Sequence, residues 1–264
     1  MRLQIIKIFL VPALAFTLCT ASVAQDYQAI FEKEWIEAKK YTTRQKEIWE
    51  VVFSEFGLPV ELAAAVVFPE LLRYSALQNL METVAIKALY LQGGTRGADF
   101  SIGRFQMKPS FAEALEHDWM QTPLHHEYEI YFDLADNIHA RRARIRRLDN
   151  PEWQCIYLAL FLKLLYRRFP ELAEETATGQ VRFCATAYNG SFRDSYEEIR
   201  RRAGRRFYHT DFIPTAATVY YSYSDIAVSY YKKQTGIDSG RPVGDFGNSG
   251  MQFPGFRGNR FPER

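Results

Sequence analysis

Cysteine is scarce in this chain, with three in 264 residues, and Cys19 lies in a leader-like segment. Cys155 and Cys184 leave at most one bridge, and both sit in apolar helical runs where buried thiols fit equally well. No Cys/His cluster has zinc spacing; His125, His126 and His139 stand without a partner motif, so no metal is expected. Walker-type and dinucleotide glycine patterns are missing, which removes the usual nucleotide cofactors. No apolar run reaches the ~20 residues of a membrane span. Trp153 to Phe169 comes closest in the body of the chain and is too short and too charged at its end. No repeat of solenoid period is present.

Net charge is also missing once the leader is set aside. Residues 1–24 open with Arg2 and Lys7, continue through apolar residues from Ile8 to Leu18, and end in Ser22-Val23-Ala24, a small-x-small cleavage pattern. Cleavage before Gln25 removes two of 33 basic side chains and no acidic one, leaving 31 against 31. Bulk charge then gives no reason to expect nucleic acid. The chain reads as exported, periplasmic or secreted, with no stable membrane span after cleavage. Its protein partners are unspecified.

Apolar side chains make up 47% of the sequence, enough for one substantial core, expected over residues 25–235. Helical periodicity dominates, so the predicted class is all-α. Tyr27 to Lys40 and a second stretch capped by Thr42 or Thr43 and ended by Gly57 each show one apolar face. Pro59 opens a third helix that is apolar nearly all round, from Leu62 to Phe68, and is therefore central and buried. Pro69 is expected to end or kink it at Glu70. Further helices are read over Ala76–Leu91, from Pro109, over Tyr128–Leu148, Trp153–Phe169 and Thr178–Tyr188, and over Thr215–Lys233, where a strand at Thr218–Ser224 is the alternative. Five arginines between Arg141 and Arg147 read as a solvated face or as contacts to an acidic polymer. With the tyrosines from Tyr220 to Tyr231 they could line a glycan groove. Residues 236–264, rich in Gly, Pro, Arg and Phe without periodicity, read as a disordered tail.

Glu70 has Val66, Val67, Phe68, Leu71 and Leu72 around it in sequence. Such neighbours desolvate a carboxyl and raise its pKa, and a helix C-terminus pushes the same way. A carboxyl protonated near neutral pH can protonate a leaving oxygen, as glycosidic cleavage requires. The competing reading is a structural Glu paired with Arg73.

Three motifs extend this reading. Glu70 follows the apolar Ala65-Val66-Val67-Phe68-Pro69; next comes Gly103-Arg104-Phe105-Gln106-Met107-Lys108-Pro109; last comes Ala187-Tyr188-Asn189-Gly190. In this order, over Leu58 to Ser191, they resemble the lytic transglycosylase and goose-type lysozyme group of the lysozyme-like superfamily. There a helix delivers the catalytic Glu, a G-L-M-Q-I-x-P-type turn follows, and an A-Y-N-x-G motif comes later.

The resemblance implies a lysozyme-like helical domain, peptidoglycan glycan strands as partner, and no cofactor. It implies cleavage of the MurNAc-GlcNAc β-1,4 bond with Glu70 as catalytic acid, and Gly103, Phe105, Gln106, Tyr188 and Asn189 at the substrate. Gly103 would turn the backbone beside the groove, Gln106 would fix sugar amides or the turn, and Tyr188 would reach the acid or an N-acetyl group. Departures are Leu71 where the family has Ser, Pro69 before the acid, Arg104-Phe105 for Leu-Met, and a gap to Gln106 about twice the family's. Glu82, inside that gap, is the rival acid. Asp99 is the one carboxylate near the turn, and reads better as a cap than as a second catalytic group. A single acid favours a lytic transglycosylase over a hydrolase, which needs two carboxylates. The alternative is a non-catalytic glycan-binding or scaffold module.

Overall fold

A computed structural model describes residues 25–77, 84–211 and 213–237. The predicted leader, the rival Glu82 and the tail beyond Ile237 lie outside the described residues. The class is all-α: eleven helices and one two-stranded sheet make up the described regular structure, apart from two 3-10 turns. Among the described residues no helix is long and apolar enough to cross a membrane.

Helix α1 (Tyr27–Ile30) is followed by α2 (Glu32–Glu55), which runs unbroken through the predicted boundary at Thr42-Thr43. Those threonines turn their hydroxyls back onto the Lys39 carbonyl at 2.9 and 3.0 Å, so neither caps a new helix. Gly57, at φ +62°, ends this segment, as predicted.

The predicted central helix is α3 (Val60–Leu77). Its residues Leu62 to Leu72 are all buried, and it packs against α2, α9 (Ala177–Asn189) and α11 (Tyr223–Thr235). The expected break at Pro69 does not occur. Proline cannot donate to the Ala65 carbonyl, but two buried tyrosines bond other carbonyls of the same stretch. Tyr223 Oη donates to Val66 O at 3.0 Å and Tyr208 Oη to Pro69 O at 2.6 Å. Each such bond contributes about 1 kcal/mol. Aromatic packing adds to it, with Phe68 lying between Trp35 (4.7 Å) and Tyr230 (3.7 Å, stacked). Glu70 is therefore mid-helix.

Beyond α4 (Val84–Gly93) come α5 (Pro109–Met120), the short α6 (Leu124–Glu127), α7 (Ile138–Asp149) and α8 (Pro151–Arg168). The predicted helix from Tyr128 begins only at Ile138. Glu129 takes φ +51°, which interrupts a helix, and Asn137 caps α7 by accepting from His139 N and Ala140 N. Helix α8 is the expected second core helix, buried along most of its length.

The solvated-face reading holds for only two of the five arginines of α7; the other three bind within the fold. Arg144 is buried, and Arg144 and Arg147 bind the fully buried Glu116 of α5 through contacts of 2.7–2.8 Å. Tyr157 of α8 donates to the same carboxylate, and Arg144 reaches Tyr90 of α4 at 2.7 Å. Arg141 donates to the Leu91 and Gln92 carbonyls. Only Arg142 and Arg146 are exposed, at positions that turn away from this stripe. Helical spacing sorts the five arginines, because positions three apart share a face. Cys155 and Cys184 are free and buried, one in α8 and one in α9.

After α10 (Tyr196–Arg202), strand β1 (Arg206–Tyr208) pairs antiparallel with β2 (Tyr221–Ser222), and α11 follows directly, capped by Ser222 and ended by Gly236 at φ +65°. Both readings of Thr215–Lys233 thus hold in part. Tyr223, Tyr230 and Tyr231 are buried, so they line no groove.

Candidate active site

Glu70 is 5% exposed. Helix α3 brings it into the core because the apolar face that buries Val66 and Val67 continues one turn further. Burial pushes its carboxyl above the ordinary value of 4.5. Arg73 opposes this by charge and by hydrogen bonding, and Lys108 by charge alone; burial wins. The Arg73 Nη1 lies 3.1 Å from Oε2 and 3.4 Å from Oε1. The pairing that the sequence offered as an alternative is thus present, and the carboxyl is nonetheless biased toward the protonated form.

Around Glu70 stand three tyrosines from three other elements: Tyr188 of α9, Tyr208 of β1 and Tyr223 of α11. Burial raises each phenol, and the Glu70 charge raises each further. The three phenols therefore stay neutral, each donating its proton to a backbone carbonyl, of Phe105, Pro69 and Val66 respectively.

The second motif forms a tight turn. Ile102 and Met107 exchange backbone bonds of 2.9 and 3.2 Å, and Gln106 N closes onto Gly103 O at 3.2 Å. Both turn ends are left-handed, Gly103 at φ +66° and Gln106 at φ +51°. Glycine is required at the first. A Cβ there would lie 1.7 Å from Gln154 Nε2, because Gln154 of α8 fills that space. Gln154 Oε1 accepts from Phe105 N at 2.9 Å while its Nε2 donates to Leu148 O at 2.6 Å, so α8 carries the turn on one amide. Tyr188 Oη donates to Phe105 O at 2.7 Å. The third motif thus clamps the second, and both lie within electrostatic reach of the first.

The predicted residues divide. Gln106 is buried, its Nε2 bonding Gly103 O at 2.7 Å and its Oε1 left without a partner. Phe105 is 1% exposed with its ring against Trp49 (5.5 Å), so it is a core anchor that offers no ring to a ligand. Asn189 is exposed at the end of α9. Asp99 accepts from Ser110 N (3.0 Å) and Ser110 Oγ (2.8 Å) and so holds the start of α5, eleven residues on, rather than capping the Phe100-Ser101 step that follows it. The charged groups acting on Glu70 are both cationic, and no described carboxylate is among them.

Sequence reasoning gives Gln154 and Tyr208 no site role and Tyr223 only a place in a glycan groove, not one near Glu70. A lone glutamine in the apolar run of α8 was a usable sign for the first, since a buried amide must bond something. The two tyrosines carried none, because their partners are backbone carbonyls 139 and 157 residues away.

No family model, curated protein or solved structure matches this chain. The family resemblance rests on the motif residues alone.

Proposed function

We propose that this protein cleaves the MurNAc-GlcNAc β-1,4 bond of peptidoglycan as a single-acid lytic transglycosylase. The observation that carries the reading is the convergence on one buried carboxyl: Glu70, burial-raised, beside Tyr188, which bonds the Gly103–Gln106 turn. Glu70 gives its proton to the departing GlcNAc O4 as the C1–O4 bond breaks. As a carboxylate it then takes the proton from the MurNAc 6-hydroxyl while O6 bonds C1, giving a 1,6-anhydro end. No water is consumed, and Glu70 ends as it began. The unpartnered Gln106 Oε1 is an acceptor suited to a sugar amide N–H.

A second reading has its own support. Arg73 sits 3.1 Å from a carboxyl that is almost fully covered, an arrangement that also suits a non-catalytic glycan-binding or scaffold module. Incubation of purified protein with cell-wall sacculi separates the two, with soluble products weighed by mass spectrometry. Wild type is expected to release anhydro-ended fragments, one water lighter than reducing-end ones. Glu70→Gln is expected to lose about 10²–10⁴-fold of that release while still pelleting with sacculi. Wild type that pellets and releases nothing would overturn the catalytic reading in favour of the second.

A further inference from the structure

Glu70 is paired with one particular side chain, and that side chain is itself held. Arg73 bonds both oxygens of the carboxyl. Its Nε donates to the His209 carbonyl at 3.3 Å, and its guanidinium lies 4.7 Å from the Tyr208 ring. Tyr208 is fixed in turn by its 2.6 Å bond to Pro69 O, one residue before Glu70. Among the described residues, the hydrogen bond and the ring contact that Arg73 makes beyond Glu70 thus come from β1 and the residue after it.

That strand is thinly supported. It has three residues, pairs only with the two-residue β2, and shows an irregular register between Arg206 and Tyr208. Phe207, Ile213 and Val219, in and after it, are each more than half exposed. Tyr208, packed against Phe31 and Tyr223, is the one buried residue of the strand, and segments held by so few buried residues open at the low end of a protein's stability range.

Arg73 and an acid role for Glu70 conflict chemically. A protonated carboxyl has a single O–H to give. A guanidinium donating to both oxygens favours the ionised form and occupies the positions from which that proton would leave. Cleavage therefore needs Arg73 displaced.

We propose that Arg73 is an inhibitory cap on Glu70 and that β1 is its latch, so that an entering glycan strand engages the acid only after the guanidinium has swung away. This rests on the catalytic reading above and adds a control to it. The movement uncovers the carboxyl and also arms it. With Arg73 gone, burial is opposed only by the Lys108 charge, while Tyr188, Tyr208 and Tyr223 remain as neutral neighbours. Arg73 thus holds back the upward shift of the Glu70 carboxyl while the site is empty, and its departure on engagement lets that shift develop in full.

The test is the Glu70 titration, followed by carboxyl ¹³C NMR on glutamate-labelled protein and assigned by its loss in Glu70→Gln, together with sacculus digestion. Arg73→Gln is expected to move the Glu70 midpoint upward and to speed digestion several-fold at neutral pH, with its pH profile shifted the same way. Tyr208→Phe, which keeps the ring and drops the latch bond, is expected to move both in the same direction by less. Arg73→Lys should return the midpoint toward wild type. An unmoved midpoint in both Arg73→Gln and Tyr208→Phe overturns the cap. A raised midpoint with slower digestion also overturns it, because Arg73 would then be part of the working site. A raised midpoint with sacculi untouched by every protein, wild type included, supports the cap and overturns the catalytic reading instead.

Discussion

Replacing Gly103 with alanine tests how the turn beside Glu70 is built. An L side chain in the left-handed region at φ +66° costs about 1–2 kcal/mol. The added methyl would also lie 1.7 Å from Gln154 Nε2 and 2.6 Å from its Cδ, so the amide must leave. Its departure breaks the bonds to Phe105 N and Leu148 O, both buried, at about 1 kcal/mol or more each. The sum is about 3–4 kcal/mol, against a typical domain stability of about 5–15 kcal/mol. In a Gln154→Ala background those bonds are already gone and the space is open, so the same glycine change should cost only the backbone strain. Urea unfolding of the four proteins with a common slope gives the double-mutant cycle, with an expected coupling of about 2 kcal/mol. Additivity within about 0.5 kcal/mol would refute the account, since it would mean that Gln154 does not occupy the glycine's space.

Two further outcomes follow from buried charge. Glu70 has a folded pKa raised above 4.5, so its contribution to stability is full below the unfolded pKa and is lost as pH rises through the folded one. Urea midpoints from about pH 4 to about pH 8 should therefore fall less steeply with pH in Glu70→Gln than in wild type, and equal slopes would contradict the burial argument. Glu116→Gln removes the charge facing Arg144 and Arg147 and should cost about 3–5 kcal/mol, seen as a Tm drop on the order of 10 °C. A loss under about 1 kcal/mol would show that water relieves those guanidiniums.

Much of the fold was legible because helical periodicity is a local signal. The continuous apolar character from Leu62 to Phe68 marked α3 as central, and the run from Trp153 marked α8. The errors have one cause: distant partners outweighed local propensity. Helix α3 runs on through Pro69, where Tyr223 and Tyr208 from distant elements bond the Val66 and Pro69 carbonyls. Thr42 and Thr43 failed to cap because their hydroxyls had a carbonyl one turn back. Arg144 and Arg147 looked like surface charge because Glu116, their partner, lies 28 and 31 residues away.

By itself the sequence determined that the described chain is helical, that α3 is buried, and that a carboxyl on it must be desolvated. Those conclusions depend on which residues neighbour one another along a helix. It also supplied the glycine that a left-handed turn at position 103 needs. Tertiary structure alone decided what stands beside Glu70. Arg73, one turn along the same helix, is the exception; packing added the hold of β1 on it, the three tyrosines drawn from α9, β1 and α11, and the glutamine of α8 on which the turn rests. The reason is physical: a side chain's desolvation can be estimated from its near neighbours, but its hydrogen-bond and charge partners are whatever the packed elements bring within 3–4 Å.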